Sequence, residues 1–203
     1  MPSHSRPAQR RRIPSQYRGE RRVAGLLNAA AHVIAETGYE AATMSEVAER
    51  AGASIGSLYQ FFPNKEAVTQ ALRSNYSHQI EELWVPLGEH WKALDVESFV
   101  DRLIDVTIKF ADEHPAFLAL LDAPLAVRRP GPIRKRFCEL MARFFVLRKP
   151  HMSKVKALRM ASVTLKIING MMVLYKDAKR SEKPYIVREF KIVLSCYLNR
   201  GIS

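Results

Sequence analysis

Between Ala53 and Val68 the chain reads ASIGSLYQFFPNKEAV. Four residues in this stretch, Ile55, Gly56, Tyr59 and Gln60, carry groups suited to the edges of nucleic-acid bases. A glutamine offers adenine a paired donor and acceptor, and an isoleucine can cover a thymine methyl. A tyrosine can stack or bond a phosphate, and a glycine lets a helix backbone approach closely. Ser54 and Asn64 both suit helix N-caps, and Phe62-Pro63 closes whatever Ser54 opens. The piece between them is a helix of about two turns. Within it Leu58, Phe61 and Phe62 fall at i, i+3 and i+4, an apolar stripe expected to face the core. Ile55 with Tyr59, and Gly56 with Gln60, are i, i+4 pairs on the opposite face. The N-terminus of this helix, with Ser54 and Ser57, directs backbone amides toward an anion such as a phosphate.

The flanking elements must hold that short helix in place. Val23, Leu26, Leu27, Ala30, Val33 and Ile34 follow helical spacing, which predicts a first helix over about 18–37, stopped by Gly38. Thr43-Met44-Ser45-Glu46 is a capping box opening a second helix that ends at Gly52. A short helix joined to another through a glycine turn is a helix-turn-helix, and its displayed face is sized for a DNA major groove. The same pattern also fits a helical pair whose exposed face does nothing. Charge weights the choice toward DNA. The chain carries 32 Lys plus Arg against 20 Asp plus Glu, a net charge of +12, and such an excess suggests an anionic partner. Seven arginines and one glutamate fall within residues 1–22. Residues 1–17 are read as a flexible basic arm, with Arg10, Arg11 and Arg12 placed to follow a minor groove.

The stretch GYEAATMSEVAERAGASIGSLYQFFPNKEAV resembles the DNA-binding helix-turn-helix of the TetR family of bacterial transcriptional regulators. The resemblance covers about residues 20–70. It implies that Thr43 and Lys65 grip phosphates beside the groove and that Tyr59 contacts backbone or base. It also implies that Ile55, Gly56, Ser57 and Gln60 read sequence. The arginine arm occurs in only part of that family, so its role rests on charge alone. The resemblance further implies a C-terminal all-helical domain that dimerises and holds a small-molecule effector.

The remaining chain reads as helix throughout, with no period-2 strand run, so the fold class is all-α. The expected organisation is an arm at 1–17, a three-helix DNA-binding domain at 18–66, and a helical effector-binding and dimerisation domain at 67–203. A fourth helix is expected from Asn64 until Pro86 ends or kinks it. Further helices are expected over about 96–113, 115–122, 132–147, 153–178 and 184–198. The helix after Ser153 carries two apolar stripes: Leu158, Ala161, Leu165, Ile168, Met172 and Tyr175, then Met160, Val163, Ile167, Met171 and Leu174. A helix apolar on most sides is buried on most sides, so one face is expected to meet a second copy of the chain. With Ile186, Phe190, Val193, Leu194 and Tyr197 it could complete a four-helix interface.

Effector contacts are sought among Trp84, Leu87, Phe110, His114, Phe117, Phe145, Asn169 and Met172. Asn169 and Lys166 interrupt an apolar run, and a buried polar group needs a partner that a ligand could supply. Lys166 could equally reach water. The basic group Arg128, Arg129, Arg134, Lys135 and Arg136 fits a solvated cluster better than an anion site.

The two cysteines, Cys138 and Cys196, fit a reducing compartment. No leader with an apolar centre precedes the first helix, and no uncharged apolar run reaches membrane-spanning length, so a cytoplasmic location is expected. No metal-ligand spacing, phosphate loop or catalytic triad is recognisable, so no cofactor and no enzymatic activity are expected. The reading is a dimeric regulator, a repressor released from its operator by a small molecule. The alternative is a DNA-binding regulator with no such effector, controlled by a protein partner or by its own level.

Overall fold

The computed structural model describes residues 15–123 and 131–202. Among these, all regular structure is helical. Helix α1 (Ser15–Ala41) buries Leu26, Ala29, Ala30, Val33 and Ile34, the stripe expected from their spacing. Gly38 interrupts it with φ of 80°, a conformation that costs a glycine little. One further turn beyond that break lays Tyr39 into the core. Thr43 caps α2 (Met44–Arg50) with both halves of the capping box formed. Gly52, at φ of 58°, turns the chain. Ser54 caps α3 (Ile55–Phe61) by accepting from the Ser57 amide.

Helix α4 (Lys65–His90) starts at the Asn64 cap and runs about 39 Å. It leaves the three-helix head and becomes the first helix of the body, so the expected boundary at 66/67 lies in its first turn and no linker separates the two parts. Pro86 does not end α4. Pro86 and Glu82 are both exposed, so the carbonyl that loses its intrahelical donor meets water instead.

The body continues with α5 (Val96–Glu113), α6 (Pro115–Ala119), α7 (Gly131–Arg148), α8 (Lys154–Asp177) and α9 (Lys183–Ile202). Single 3-10 turns follow α4 (Trp91–Ala93) and α6 (Leu120–Asp122). Helix α8 packs between α7 and α9, α5 packs on α9, and α6 packs against α1, joining body to head. Trp91 stacks on Phe99 at 4.0 Å and meets Phe145 edge-on. Each buried side chain of this size is worth about 1.5–3 kcal/mol relative to exposure. Trp84 donates its indole N–H to Thr107, whose hydroxyl donates to the Leu103 carbonyl. Four of the five acids of α5 have cationic or polar partners on later helices, and Glu113 pairs with Lys109 of α5 itself. Lys191 reaches Asp101 at 3.3 Å and Asp105 at 2.6 Å, Tyr175 donates to Asp112, and Asn199 donates to Glu97.

Among the described residues, α8 is the one helix that length and composition would allow to cross a membrane. It lies instead along the middle of the bundle, with Ala157, Ala161, Thr164, Leu165 and Met171 buried against its neighbours. Its first apolar stripe faces this core as expected. The second stripe splits: Met160 and Met171 are buried, whereas Val163 and Leu174 are exposed.

Candidate nucleic-acid interface

Helix α3 has one inner and one outer side. Leu58 is fully buried, and Phe62 after the helix is buried too. Phe61 departs from the expected stripe and is 39% exposed. Leu58 is the one buried residue within α3, and Phe62, the extended residue that follows the helix, takes the second anchoring role. Ile55 is 42% and Tyr59 49% exposed; Gln60, Gly56 and Ser54 are exposed as well, and Ser57 is half-buried. A Cβ added to Gly56 would meet nothing within 4 Å, so the space beside it is open. Arg22 of α1 reaches toward the Ser57 hydroxyl at 3.5 Å, which sets a cation beside the start of α3.

The supports of α3 are polar as well as apolar. Arg50 at the end of α2 forms a two-pronged ion pair with Glu36 of α1, at 2.6 and 2.5 Å. The hydrogen bonds from Arg50 hold the Glu36 carboxyl below its ordinary range. Glu46 is lowered in the same way by the Thr43 hydroxyl and then the Thr43 amide. The Thr43 side chain is therefore committed to Glu46, yet stays exposed at the α2 N-terminus. Lys65 donates to the carbonyls of Tyr39 and Glu40 and lies over the Tyr39 ring at 4.6 Å. Arg10, Arg11 and Arg12 lie outside the described residues.

The residues sought as effector contacts divide. Trp84, Phe117 and Met172 line an internal void of about 40 Å³, together with Arg73, Tyr76 and Phe137. Phe110 and His114 stand behind it, in an aromatic cluster around Tyr76 with ring centroids at 5.8 and 5.3 Å. Leu87, Phe145 and Asn169 do not line the void. Phe145 is used in the Trp91 stack, Asn169 is half-buried and Lys166 exposed. The buried-polar argument for that pair therefore lapses, because neither side chain is buried. A second, open cleft of about 990 Å³ lies between α1 and the α4–α6 corner. Among the described residues no group of three or more His, Cys, Asp or Glu could hold a metal.

Residues 26–72 match the family model "Bacterial regulatory proteins, tetR family", and residues 95–198 match the model "Tetracyclin repressor-like, C-terminal domain". The chain belongs to the TetR family. Its architecture agrees with that of TetR-family regulators of known structure. One from Streptomyces coelicolor is 25% identical, covers 89% of this chain and 99% of its own, and superposes with a TM-score of 0.63. The fatty acid degradation regulator FadR of Bacillus halodurans is similar in fold, at 19% identity and a TM-score of 0.64 over 86% of this chain and 94% of its own. Among curated proteins, the HTH-type transcriptional regulator YvdT of Bacillus subtilis is 29% identical over 106 residues, 50% of this chain and 52% of that protein. The A-factor receptor protein of Streptomyces griseus is 39% identical over 56 residues, 28% of this chain and 20% of that protein. The chain thus spans about half of the first relative's length and a fifth of the second's.

As a TetR-family transcriptional regulator the chain uses two groups that its sequence does not reveal. The Glu36–Arg50 pair joins residues on different helices, with no local pattern to mark it. Tyr76 reads as one more apolar position of α4, and only the packed fold makes it the hub of an aromatic cluster.

Proposed function

We propose that the chain is a homodimeric, cytoplasmic repressor that lays α3 of each protomer into successive major grooves of a two-fold operator. The observation that carries this reading is the division of α3 into a buried Leu58 side and an open Ile55–Gly56–Tyr59–Gln60 side. Gln60 and Ile55 read base edges. Tyr59, the Thr43 end of α2 and Lys65 meet phosphates, and Arg10, Arg11 and Arg12 follow the minor groove. Two α3 helices must lie about 34 Å apart to meet one face of a duplex, which calls for a two-fold pair.

Exposed apolar groups on α8 and α9 support that pairing. Leu174 is 52% exposed, Ile192 48% and Val193 50%, an uncommon concentration for a face meant for water. In this reading an effector favours a body conformer whose two heads no longer fit the half-site spacing, and it shifts the equilibrium only by its differential affinity. Domain limits of 18–66 and 67–203 belong to the same proposal. A second reading, regulation without a small molecule, draws support from the size of the internal void: about 40 Å³ holds a water or two and no effector.

Selection of bound sites from a random duplex pool, followed by salt titration, tests the DNA reading. The expected product is a palindrome with half-sites about one helical turn apart, bound with affinity that falls steeply with salt. Selection of no common sequence would overturn it.

A further inference from the structure

The far end of the body carries an unbalanced charge. From 140 to 176 the sequence has eight Lys and Arg and no Asp or Glu. That run forms the end of α7, the turn 149–153 and almost all of α8. Arg148 in the last turn of α7 donates to the Lys92 carbonyl at 2.8 Å, which sets the 3-10 turn after α4 beside the α7–α8 turn. Helix α4 starts next to α3 and runs about 39 Å to that 3-10 turn. This pole and the reading helix therefore stand at opposite ends of α4.

The adjoining segments 89–95 and 147–156 hold two acids, Glu89 and Asp95, against five cations, Lys92, Arg148, Lys149, Lys154 and Lys156. Asp95 is engaged with the Ser98 amide as the cap of α5. Lys92, Lys154 and Lys156 are exposed, and none of the three forms an ion pair among the described residues. Residues 1–14 and 124–130 contain no Asp or Glu, so those stretches cannot supply the carboxylates. Folding does not ask for these lysines either. The first turn of α8 holds no acid, and cations there oppose the helix dipole. Apolar groups stand among the cations: Val155 is 67% and Leu147 40% exposed.

We propose that this pole docks an acidic, amphipathic segment of a partner protein. Its carboxylates meet Lys92, Lys154 and Lys156, and its apolar side chains cover Val155 and Leu147. An apolar centre with a charged rim is how protein interfaces are built. A duplex would leave the two apolar groups unused. One valine and one leucine, with no aromatic, give a bilayer little to take up. A second copy of the chain would bring the same cations. Because the pole lies away from α3, partner and DNA are held at once. The surface goes beyond the DNA reading and gives regulation without a small molecule a partner of stated chemistry.

The test is fluorescence anisotropy of the full chain with a labelled peptide of about 16 residues, built from Glu, Leu and Ala with Leu at i, i+4 spacing, beside the same peptide with Gln for Glu. The acidic peptide is expected to bind about tenfold tighter than its Gln form, with affinity that falls as salt rises. Lys154→Glu with Lys156→Glu should lower that affinity about tenfold. Lys92→Glu, on a separate element, and Val155→Ser should each lower it about three- to fivefold. A selected duplex should bind these variants as it binds the parent, and should stay bound when the peptide is added. Equal binding of the Gln form, or affinity unchanged by the paired lysine substitutions, overturns the proposal. So does displacement of the duplex by the peptide, which would put the peptide on the head or the arginine arm. Co-sedimentation with phosphatidylglycerol vesicles that the lysine substitutions abolish, without peptide binding, would make the pole a lipid surface instead. A monomer in sedimentation of Val155→Glu would make it an interface between copies. If no duplex is selected while the peptide still binds through the lysines, the surface stands and the DNA reading falls; duplex selection without peptide binding does the reverse.

Discussion

The Lys65 ammonium lies 2.9 Å from the carbonyl oxygens of both Tyr39 and Glu40. These carbonyls end α1, where no intrahelical donor reaches them, and the lysine at the first turn of α4 satisfies both. Two of its three N–H groups are thereby used and the third is available to a phosphate. Lys65→Met should cost about 2 kcal/mol of stability in urea unfolding and lower the salt slope of DNA binding by about one. Lost stability with an unchanged slope would remove Lys65 from the phosphate contacts.

Gln60 stands exposed on α3 with open space beside Gly56. If it pairs with a base, Gln60→Ala should cost about 1–3 kcal/mol and relax preference at a single operator position. Competition binding across all single-base operator variants measures this. A uniform loss over every variant would mean that Gln60 does not read sequence.

Three carboxylates at helix ends have lowered pKa values: Glu36 through Arg50, Glu46 through Thr43, and Asp95 through the Ser98 amide. A lowered folded-state pKa means that the unfolded chain binds protons first as pH falls. The stability from these contacts is therefore full above the ordinary carboxylate range, about pH 4, and is lost as pH drops through the folded values. Thr43→Val combined with Asp95→Asn should flatten this acid limb of melting temperature against pH. Superimposable curves for variant and parent would refute the assignment.

The apolar residues displayed on α9 make a prediction about assembly. Val193 is half exposed, so Val193→Glu should alter monomer stability by no more than about 0.5 kcal/mol. Placed in a two-fold interface it sets two uncompensated charges in apolar surroundings. Sedimentation should then show a folded monomer, and affinity for a full palindrome should fall far more than affinity for a half-site. A variant that remains dimeric would move the interface elsewhere.

Local signals explain why so much of the head was readable. Caps at Thr43, Ser54 and Asn64 all form, since each depends on an amide two or three residues away. Apolar spacing likewise placed the buried face of α1. Where outcome and expectation part, the deciding quantity lies between helices. Phe61 is exposed because α3 is anchored through Leu58 and through Phe62, the extended residue that follows it. Asn169 is only half-buried, while the neighbouring Ile168 takes the buried position on α8.

Gly88 and Phe144 give a test of that interhelical packing. Gly88 of α4 is buried against the Phe144 ring of α7, and a Cβ built on Gly88 would fall within that ring's edge. Phe144 cannot simply swing away, because it is 2% exposed and meets Phe99 edge-on. Alanine ordinarily favours a helix over glycine by about 1 kcal/mol, so propensity alone predicts that Gly88→Ala stabilises α4. Overpacking predicts the reverse, a loss of about 1–3 kcal/mol. The contact should win, because the ring has no void to enter. Phe144→Leu combined with Gly88→Ala should recover part of the loss, giving a favourable coupling in a double-mutant cycle read by urea unfolding. Additive effects, or a more stable Gly88→Ala, would mean that α4 and α7 are not in direct contact there.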